Sequence, residues 1–420
     1  MKFLRTGVFL SIFLVVFIKT TLLYFQNSPA MSFSGQVEEE EIVTPTPELG
    51  TLEPTQVFTP TATSTPLPSL TPAPTSEVYG PSDLPADINP LTGLPVANPT
   101  LLDRRPIAIK VCNYPRKVRP QYGLNLADHV LEYYIGDHMT RFVGVYFGNN
   151  AERVGPVRSA RLFDEHVMRM YNSYFVFGYA DPKVRERLYV DSLKPYLVIE
   201  TKSNCPPICR YENGLAWNNL FADTGKLTEY LDERRGNNQR PDLEGLAFGL
   251  DAPKSGSPGE KFTIHFTTIS YHYWEYDPES GVYLRWQEAN HDLKQAPTYV
   301  PLYDALTDHQ IFASNVVVLF VPHTIFYKSS STEILDITLE WEGQGYAFRD
   351  GQLYPIQWVH KSSSQMFSLY LPNGEPYPLK PGNTWFEILS NLSTFEPRPD
   401  GTWHFEFIKP VMPTATPESN

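Results

Sequence analysis

The stretch SARLFDEHVMRMYNSYFVF, residues 159–177, decides the fold that the sequence predicts for its first folded segment. Apolar residues recur at helical spacing over Ala160–Tyr171, which predicts an amphipathic helix with Ser159 as its N-cap. The run Tyr174–Phe177 is short, apolar and aromatic, as buried strands are. A helix that leads directly into a buried strand is typical of α/β folds.

Further strand-like runs lie on both sides of this stretch, at 107–111, 142–147 and 196–199. A second helical pattern follows Thr224, which is a suitable capping residue. This alternation of strand and helix patterns predicts an α/β module over residues 89–249.

From residue 258 onward the pattern changes to apolar runs joined by compact turns such as Asn373-Gly374, which are typical of β-hairpins. No convincing helical pattern occurs there. We therefore predict a mostly antiparallel β module over residues 258–409, and an α+β fold for the chain as a whole.

The N-terminus has the plan of a secretory signal, because Lys2 and Arg5 precede a long apolar stretch. Residues 1–26 are predicted to be either a cleaved signal or an uncleaved membrane anchor, since the stretch is nearly long enough to span a bilayer. Residues 27–88 form a Thr- and Pro-rich stalk that we predict to be disordered, like the tail 410–420. The folded part is therefore expected outside the cytoplasm, held to the membrane by the N-terminal segment or secreted.

The formal net charge is -13, and the chain contains no long run of basic residues. An acidic protein of this kind does not favour nucleic acid or an anionic lipid surface as its main partner. The sequence also lacks a glycine-rich phosphate-binding loop and a recognisable set of metal ligands, so we expect no cofactor and no metal. The expected partners are an envelope ligand or another protein.

The polar, turn-rich part of the first module supplies the candidate site. Arg158 and Arg161 flank the predicted helix start at Ser159, where two guanidinium groups and free backbone N–H groups would meet. That arrangement suits a carboxylate or a phosphate. The candidate ligand-binding residues are Arg119, Asp128, Glu132, Arg141, Arg158, Ser159 and Arg161.

These residues have two other interpretations. The arginines could pair internally with carboxylates such as Asp128 or Glu132, which would make the motif structural. A catalytic role is the third alternative, although Ser159 lacks the Gly-x-Ser-x-Gly elbow of the hydrolases. The sequence assigns no catalytic residue.

Cys205 and Cys209 enclose the short segment Pro-Pro-Ile, and Cys112 ends an apolar, strand-like run. Outside the cytosol two thiols this close tend to form a disulfide, but two unpaired thiols and a metal site remain open alternatives. Cys112 is predicted to be a small buried hydrophobic residue.

Short motifs in both modules carry a resemblance to a known family. The first module contains NPLTGLP at 89–95 and GPVRSAR at 155–161. The second contains NVVV at 315–318 and LKPGNTW at 379–385. Together they resemble the YerB-like family of bacterial envelope lipoproteins, over residues 89–389 and with both modules in order. The resemblance implies an envelope location and a two-module fold rather than a particular reaction.

The chain departs from the family pattern in three places. No lipid-accepting cysteine follows the signal, so the apolar segment itself would be the anchor. Tyr179-Ala-Asp-Pro182 stands where the family tends to have Gly-Gly-Ser-Pro, and Trp217-Asn-Asn219 stands where it has Pro-His-Asn. A mechanism that requires that Ser or His lacks support in this chain.

The function predicted from the sequence is extracytoplasmic binding of an anionic or glycan-like envelope ligand, or of a partner protein, by the first module. An enzyme acting on cell-wall material and a structural scaffold are the alternatives. The surroundings of Arg158 discriminate among the three. A cleft with an unpaired carboxylate favours an enzyme, a basic pocket without one favours binding, and fully paired arginines favour a scaffold.

Overall fold

The computed structural model describes residues 78–201, 204–211, 218–292 and 296–411. The predicted signal or anchor, nearly all of the stalk and most of the tail lie outside the described residues. All the described residues belong to one compact unit, Leu70–Asn420. Among the helices in these ranges, none has both the length and the apolar character needed to cross a membrane.

The described part of the first segment, which is the predicted first module of residues 89–249, combines short helices with mostly short strands. Its helices are α1 (Asp164–Tyr171), α2 (Pro182–Leu188) and α3 (Thr224–Arg235), and 3-10 turns lie at Pro99–Asp103, Arg116–Val118, Leu124–Leu126 and Lys194–Tyr196. Its strands are β1 (Ile107–Cys112), β2 (His129–Tyr134), β3 (Thr140–Tyr146), β4 (Tyr174–Phe177), β5 (Leu197–Ile199), β6 (Ile208–Arg210), β7 (Leu220–Ala222) and β8 (Ala247–Phe248).

The described part of the second segment contains strands and turns. Its first strands are β9 (Ser257–Pro258), β10 (Lys261–Thr267), β11 (Ser270–Asp277), β12 (Val282–Glu288), β13 (Tyr299–Pro301), β14 (Tyr303–Asp304), β15 (His309–Gln310), β16 (Phe312–Ala313) and β17 (Asn315–Val321). They are followed by β18 (His323–Lys328), β19 (Glu333–Ile337), β20 (Trp341–Arg349), β21 (Gln352–His360), β22 (Ser368–Tyr370), β23 (Pro378–Leu379), β24 (Thr384–Ser390), β25 (Thr394–Pro397) and β26 (Trp403–Glu406).

One large sheet runs through both segments. Its strand order is β22-β21-β20-β17-β24-β2-β3-β1-β4-β5, with β9 paired to β21. Strand β24 lies between β17 and β2 and is parallel to both, so that Trp385 stands opposite Val316 on one side and Val130 on the other. The two segments therefore share backbone hydrogen bonds. A second sheet has the order β13-β12-β11-β10-β26-β25, with β16 paired to β12.

The large sheet is covered on both faces. Ala108 and Ile109 are neighbours on β1 but belong to different core clusters, because successive side chains of a strand point to opposite faces. On the Ala108 face the core includes Val167 of α1, and on the Ile109 face it includes Phe262 and Trp274 of the second sheet. Burial on both faces explains why β1 is a nearly continuous apolar run rather than an alternating one.

The predicted α+β class with an N-terminal α/β module is wrong. Helix accounts for 12% of the structure and strand for 41%, so the fold is mostly β. The helical patterns lie where helices occur, but α1 and α2 have only eight and seven residues. Strand β3 pairs antiparallel with both β1 and β2, and the sheet continues into the second segment. Local alternation of patterns therefore does not produce an α/β module here.

Candidate functional site

A cleft with a volume of about 410 Å³ lies at the carboxyl ends of β1 and β4, and we call it the strand-end cleft. The two strands are parallel neighbours, and crevices at the carboxyl ends of parallel strands are frequent ligand sites. The charged residues of its described lining, Arg158 and Arg210, are both basic. The lining consists of Val157, Arg158, Ser159, Gly178, Tyr179, Arg210 and Leu220.

Backbone hydrogen bonds fix the wall that carries Arg158. The Arg158 N–H donates to the Lys110 carbonyl at 2.9 Å, and the Gly178 N–H donates to the Arg158 carbonyl at 3.1 Å. The Ala160 N–H donates to the Tyr179 carbonyl at 2.8 Å. The segment therefore bridges β1 and the end of β4 as an extended chain. These backbone bonds hold the wall in place through groups of the protein itself.

The same bonds explain a difference from the predicted helix. Helix α1 begins at Asp164, and Ser159 is not its N-cap. Phe163 occupies the cap position without a side-chain hydrogen bond. The predicted meeting of two arginines at a helix start is therefore wrong in its geometry. Ser159 lies in the extended wall, ahead of the residue at which helix α1 begins.

Two guanidinium groups nevertheless meet behind this wall. Arg141 on β3 and Arg161 both donate to the Ser159 carbonyl, and Arg161 also donates to the Ala160 carbonyl at 2.8 Å. Arg141 is only 7% exposed, and the Ser159 carbonyl is its hydrogen-bond acceptor among the described residues. No carboxylate in the described part of the chain lies within ion-pair distance of Arg141.

The guanidinium groups of Arg141, Arg158 and Arg161 place positive charges close to one another. Burial lowers the pKa of Arg141 well below its usual value, and the neighbouring charges of Arg161 and Arg158 lower it further. A buried charge without an opposite partner costs several kcal/mol. An oxyanion bound to Arg158 in the strand-end cleft would supply negative charge on the other side of the wall from Arg141 and Arg161.

Asp164, at the start of helix α1, is already engaged by a lysine. Lys110 on β1 forms a fully buried ion pair with Asp164, with 3.0 Å between Nζ and Oδ1, and the Tyr133 hydroxyl bonds to both side chains. The other oxygen of Asp164 accepts the Arg161 backbone N–H at 2.6 Å. Burial lowers the pKa of Lys110 to about 7, although the charge of Asp164 acts in the opposite direction.

Arg119 lies outside the strand-end cleft. Its guanidinium bonds to Glu288 at 2.7 Å and to the Asn113 side chain at 3.1 Å. It lines a second cavity, of about 320 Å³, together with Arg153. Arg119 therefore lines a different pocket, and its charge is already paired with that of Glu288.

Asp128 is a buried carboxylate with a full set of hydrogen bonds. One oxygen accepts the backbone N–H groups of Phe147 and Gly148, and the other accepts the Asn89 amide at 2.7 Å. Burial raises the pKa of Asp128 to about 6, against the lowering effect of these bonds. These hydrogen bonds connect the residues that follow β3 to the turn at Asn89.

Glu132 belongs to a buried group of charges that we call the Arg285 cluster, made of Glu132, His272, Arg285 and Glu387. Arg285 lies 2.7 Å from Glu132 and 3.4 Å from Glu387, and His272 Nε2 lies 2.8 Å from Glu387. All four side chains are fully buried. The sequence reasoning missed Arg285, His272 and Glu387, since nothing in the sequence indicates that β2, β11, β12 and β24 meet.

The Arg285 cluster contains a possible set of metal ligands. Ligand atoms of Glu132, His272 and Glu387 lie within 4.8 Å of one another. The guanidinium of Arg285 already supplies the positive charge between the two carboxylates. Burial raises the pKa of Glu387 to about 7, partly offset by Arg285. The donor set therefore does not fit a metal ion while Arg285 is in place.

The structure brings four of the predicted site residues together, at or behind the strand-end cleft, and places three elsewhere. The first group is Arg141, Arg158, Ser159 and Arg161, and the second is Arg119, Asp128 and Glu132. A role of any of them in ligand binding stays a prediction. Of the cysteines, Cys205 and Cys209 are joined by a disulfide and Cys112 is a buried free thiol.

Comparison with known proteins identifies relatives for both segments. Residues 91–237 match a family described as the DUF3048 N-terminal domain, a protein of unknown function, and residues 262–386 match the DUF3048 C-terminal domain. The putative lipoprotein YerB of Bacillus subtilis is 25% identical over 321 residues, which cover 72% of this chain and 86% of the relative.

A solved structure supports the same relationship at the level of the fold. The crystal structure of YerB from Bacillus subtilis matches with a TM-score of 0.59 and 23% identity, and covers 73% of this chain and 97% of the YerB chain. The predicted resemblance is confirmed: the chain belongs to the YerB-like family, which is defined by the paired DUF3048 N- and C-terminal domains.

Proposed function

We propose that this protein binds a carboxylate or phosphate group of an envelope component in the strand-end cleft. The carrying observation is Arg141. It is a nearly buried guanidinium with one carbonyl acceptor and two arginine neighbours, and no described carboxylate pairs with it. Burying such a charge costs the protein stability, whereas an anion bound to Arg158 in the adjacent cleft would be attracted by it.

The lining of the cleft favours binding over catalysis. Its described residues include neither a histidine nor a carboxylate, so Ser159 has no general base there. Asp164, which accepts the Arg161 backbone N–H, is paired with Lys110. This described lining supports the binding proposal over the alternative of an enzyme acting on cell-wall material.

The proposed location is the outer face of the membrane. It is supported by Lys2 and Arg5, which precede the apolar stretch of residues 1–26, and by the description of the Bacillus relative as a putative lipoprotein. We expect protease added to intact, wall-stripped cells to digest the folded part. Protection of the folded part from that protease would contradict the location.

Thermal melts in inorganic phosphate test the ligand site. At constant ionic strength, phosphate should raise the melting temperature of the wild-type protein above that in sodium chloride, because a ligand that binds only the native state stabilises it. Arg158→Lys keeps the charge but removes the planar fork, so the phosphate effect should shrink while the melting temperature without phosphate stays close to wild type.

Arg169 offers a matched control. It pairs with Glu165 on the exposed side of α1, so Arg169→Lys should leave the phosphate effect unchanged. A large loss of melting temperature in Arg158→Lys, with an unchanged phosphate effect, would mean that the motif is structural. If the phosphate effect does shrink in Arg158→Lys, purification from the native envelope followed by mass spectrometry of bound material should identify the natural ligand.

A further inference from the structure

A second basic pocket lies on a different part of the surface from the strand-end cleft, and Arg153 is at its centre. The pocket has a volume of about 320 Å³, within the range of small-molecule sites. Its described lining includes Lys117, Arg119 and Arg153 and contains no acidic residue. Arg119 is paired with Glu288, so Arg153 and Lys117 carry the positive charge that favours an anion in this pocket.

Three aromatic rings hold the guanidinium of Arg153. Its central carbon lies 4.4 Å from the ring centre of Tyr122, 4.0 Å from that of Tyr211 and 4.3 Å from that of Phe221. Phe221 stands nearly perpendicular to both tyrosine rings, at 80° and 83°. The rings therefore surround the guanidinium and restrict its rotamers, which lowers the entropy cost of binding through it.

The N–H groups of Arg153 have no acceptor in the described structure. Its Nε atom is buried without a hydrogen-bond partner, and the guanidinium contacts the three aromatic rings instead. Arg105 is the instructive contrast, because it also stacks on a ring, that of Tyr196, but donates to the carbonyls of Asn237 and Asn172. Stacking alone therefore does not require a guanidinium to give up its hydrogen bonds.

We propose that this pocket binds an acidic sugar, with the carboxylate or phosphate of the sugar on the fork of Arg153. No described group accepts a hydrogen bond from the Arg153 guanidinium, so its N–H groups are left for an oxyanion. Lys117, which is exposed on the rim, adds a second positive charge. The ring of Tyr211 is 40% exposed and offers an apolar face to the C–H groups of a sugar ring.

The pocket is independent of the proposed phosphate site. Arg210 and Tyr211 are neighbours in the chain but line different cavities, as do Leu220 and Phe221. Successive side chains of an extended chain point to opposite sides, so the two cavities lie on opposite faces of the paired strands β6 and β7. Substitutions in one pocket can therefore be tested without removing the lining of the other.

The test is an NMR titration of the full folded protein with D-glucuronate, glucose 6-phosphate, glucose and inorganic phosphate at constant ionic strength. At least one acidic sugar should saturate a site that glucose does not occupy. Whichever acidic sugar binds identifies the oxyanion as a carboxylate or a phosphate. Arg153→Ala should weaken that binding about tenfold or more, whereas Arg105→Ala should leave it unchanged.

A second variant keeps the test valid if Arg153→Ala does not fold. Tyr211→Ala removes an exposed ring and should weaken binding of the acidic sugar without affecting inorganic phosphate. The inference is overturned if neither acidic sugar binds, if glucose binds equally well, or if Arg153→Ala binds like wild type. Loss of acidic-sugar binding in Arg158→Lys, with Arg153→Ala unaffected, would overturn this inference while supporting the proposed strand-end site.

Discussion

The strand-end cleft and the Arg285 cluster use buried arginines in opposite electrostatic settings. Arg285 lies between two carboxylates, Glu132 and Glu387, and is fully buried. Arg141 lies beside other arginines and bonds to a carbonyl. The first arrangement is neutralised within the fold and joins strands of both segments, whereas the second leaves positive charge at the wall of a cleft. The comparison separates an arginine whose charge is balanced within the fold from one whose charge has no described counter-charge beside a cleft.

Removing the guanidinium of Arg285 should have the largest effect. In Arg285→Met the carboxylates of Glu132 and Glu387 lose their opposite charge while staying buried, so the free energy of unfolding should fall by about 3 to 5 kcal/mol. Urea unfolding of the folded region measures this change. Arg285→Met combined with Glu132→Gln and Glu387→Gln should recover much of the loss, because neutral amides are cheaper to bury than unpaired carboxylates.

The pH dependence of the same variant provides a control. A carboxylate whose folded pKa is raised above its unfolded value stabilises the fold when protonated and destabilises it as pH rises above the unfolded pKa. Burial already raises the pKa of Glu132 and of Glu387, so loss of Arg285 should raise both further. The deficit of Arg285→Met should therefore be smaller at pH 5 than at pH 8. An equal deficit at both values would mean that lost packing, not charge, is the cause.

Arg141 should behave in the opposite way. In Arg141→Met a buried cation without a described counter-charge disappears, so the stability of the ligand-free protein should stay within about 1 kcal/mol of wild type or increase. Binding of inorganic phosphate should weaken, because the positive charge behind the wall that attracts the anion is lost. Parallel urea unfolding and phosphate titration measure the two effects. A loss of stability as large as that of Arg285→Met would remove the distinction between the two regions.

The sequence predicts the local elements better than their long-range pairing. The run Tyr174–Phe177 is strand β4 with the predicted bounds, and the apolar face around Val167 lies on helix α1. The insertion of β24 between β2 and β17 follows from no local pattern, because register between distant strands depends on side chains that meet only in the folded protein. The mostly β class follows from that pairing.

The candidate site shows the same division. The proximity of Arg158, Ser159 and Arg161 follows from their positions in the chain, and was predictable. The approach of Arg141 to the Ser159 carbonyl requires the pairing of β3 with β1, which the sequence does not reveal. Helix capping was a reasonable expectation for Ser159, but tertiary hydrogen bonds to β1 and to the segment after β4 override it.

The smallest expected effect concerns a third charge group, at the edge between β10 and β26, which is partly exposed. His265 Nδ1 lies 2.9 Å from Glu406 and its Nε2 lies 2.6 Å from Asp292. Burial alone would lower the pKa of His265, but hydrogen bonds and charge from the two carboxylates outweigh it and raise that pKa. Burial alone would raise the pKa of Glu406, but hydrogen bonds from His265 and His404 lower it to about 2.

These directions fix the pH window of the last prediction. A histidine with a raised folded pKa contributes stability that is fully present below its unfolded pKa of about 6.5 and is lost as pH rises through the folded value. Glu406, with its lowered pKa, stays ionised throughout this range and loses its contribution only as pH falls toward about 2. The wild-type protein should therefore lose a stabilising contribution between pH 5.5 and pH 8.5. It should be no more than about 1 kcal/mol, because His265 and its carboxylates are partly exposed and screened by solvent.

Urea unfolding of wild type and variants at the two pH values measures this contribution. His265→Gln should remove it. His309→Gln should keep it, because the exposed ring of His309 bonds only to the Thr307 carbonyl in the described structure. If both variants keep the wild-type pH dependence, the paired carboxylates do not stabilise protonated His265, and charge at the exposed edge contributes less than the comparison with the two buried regions implies.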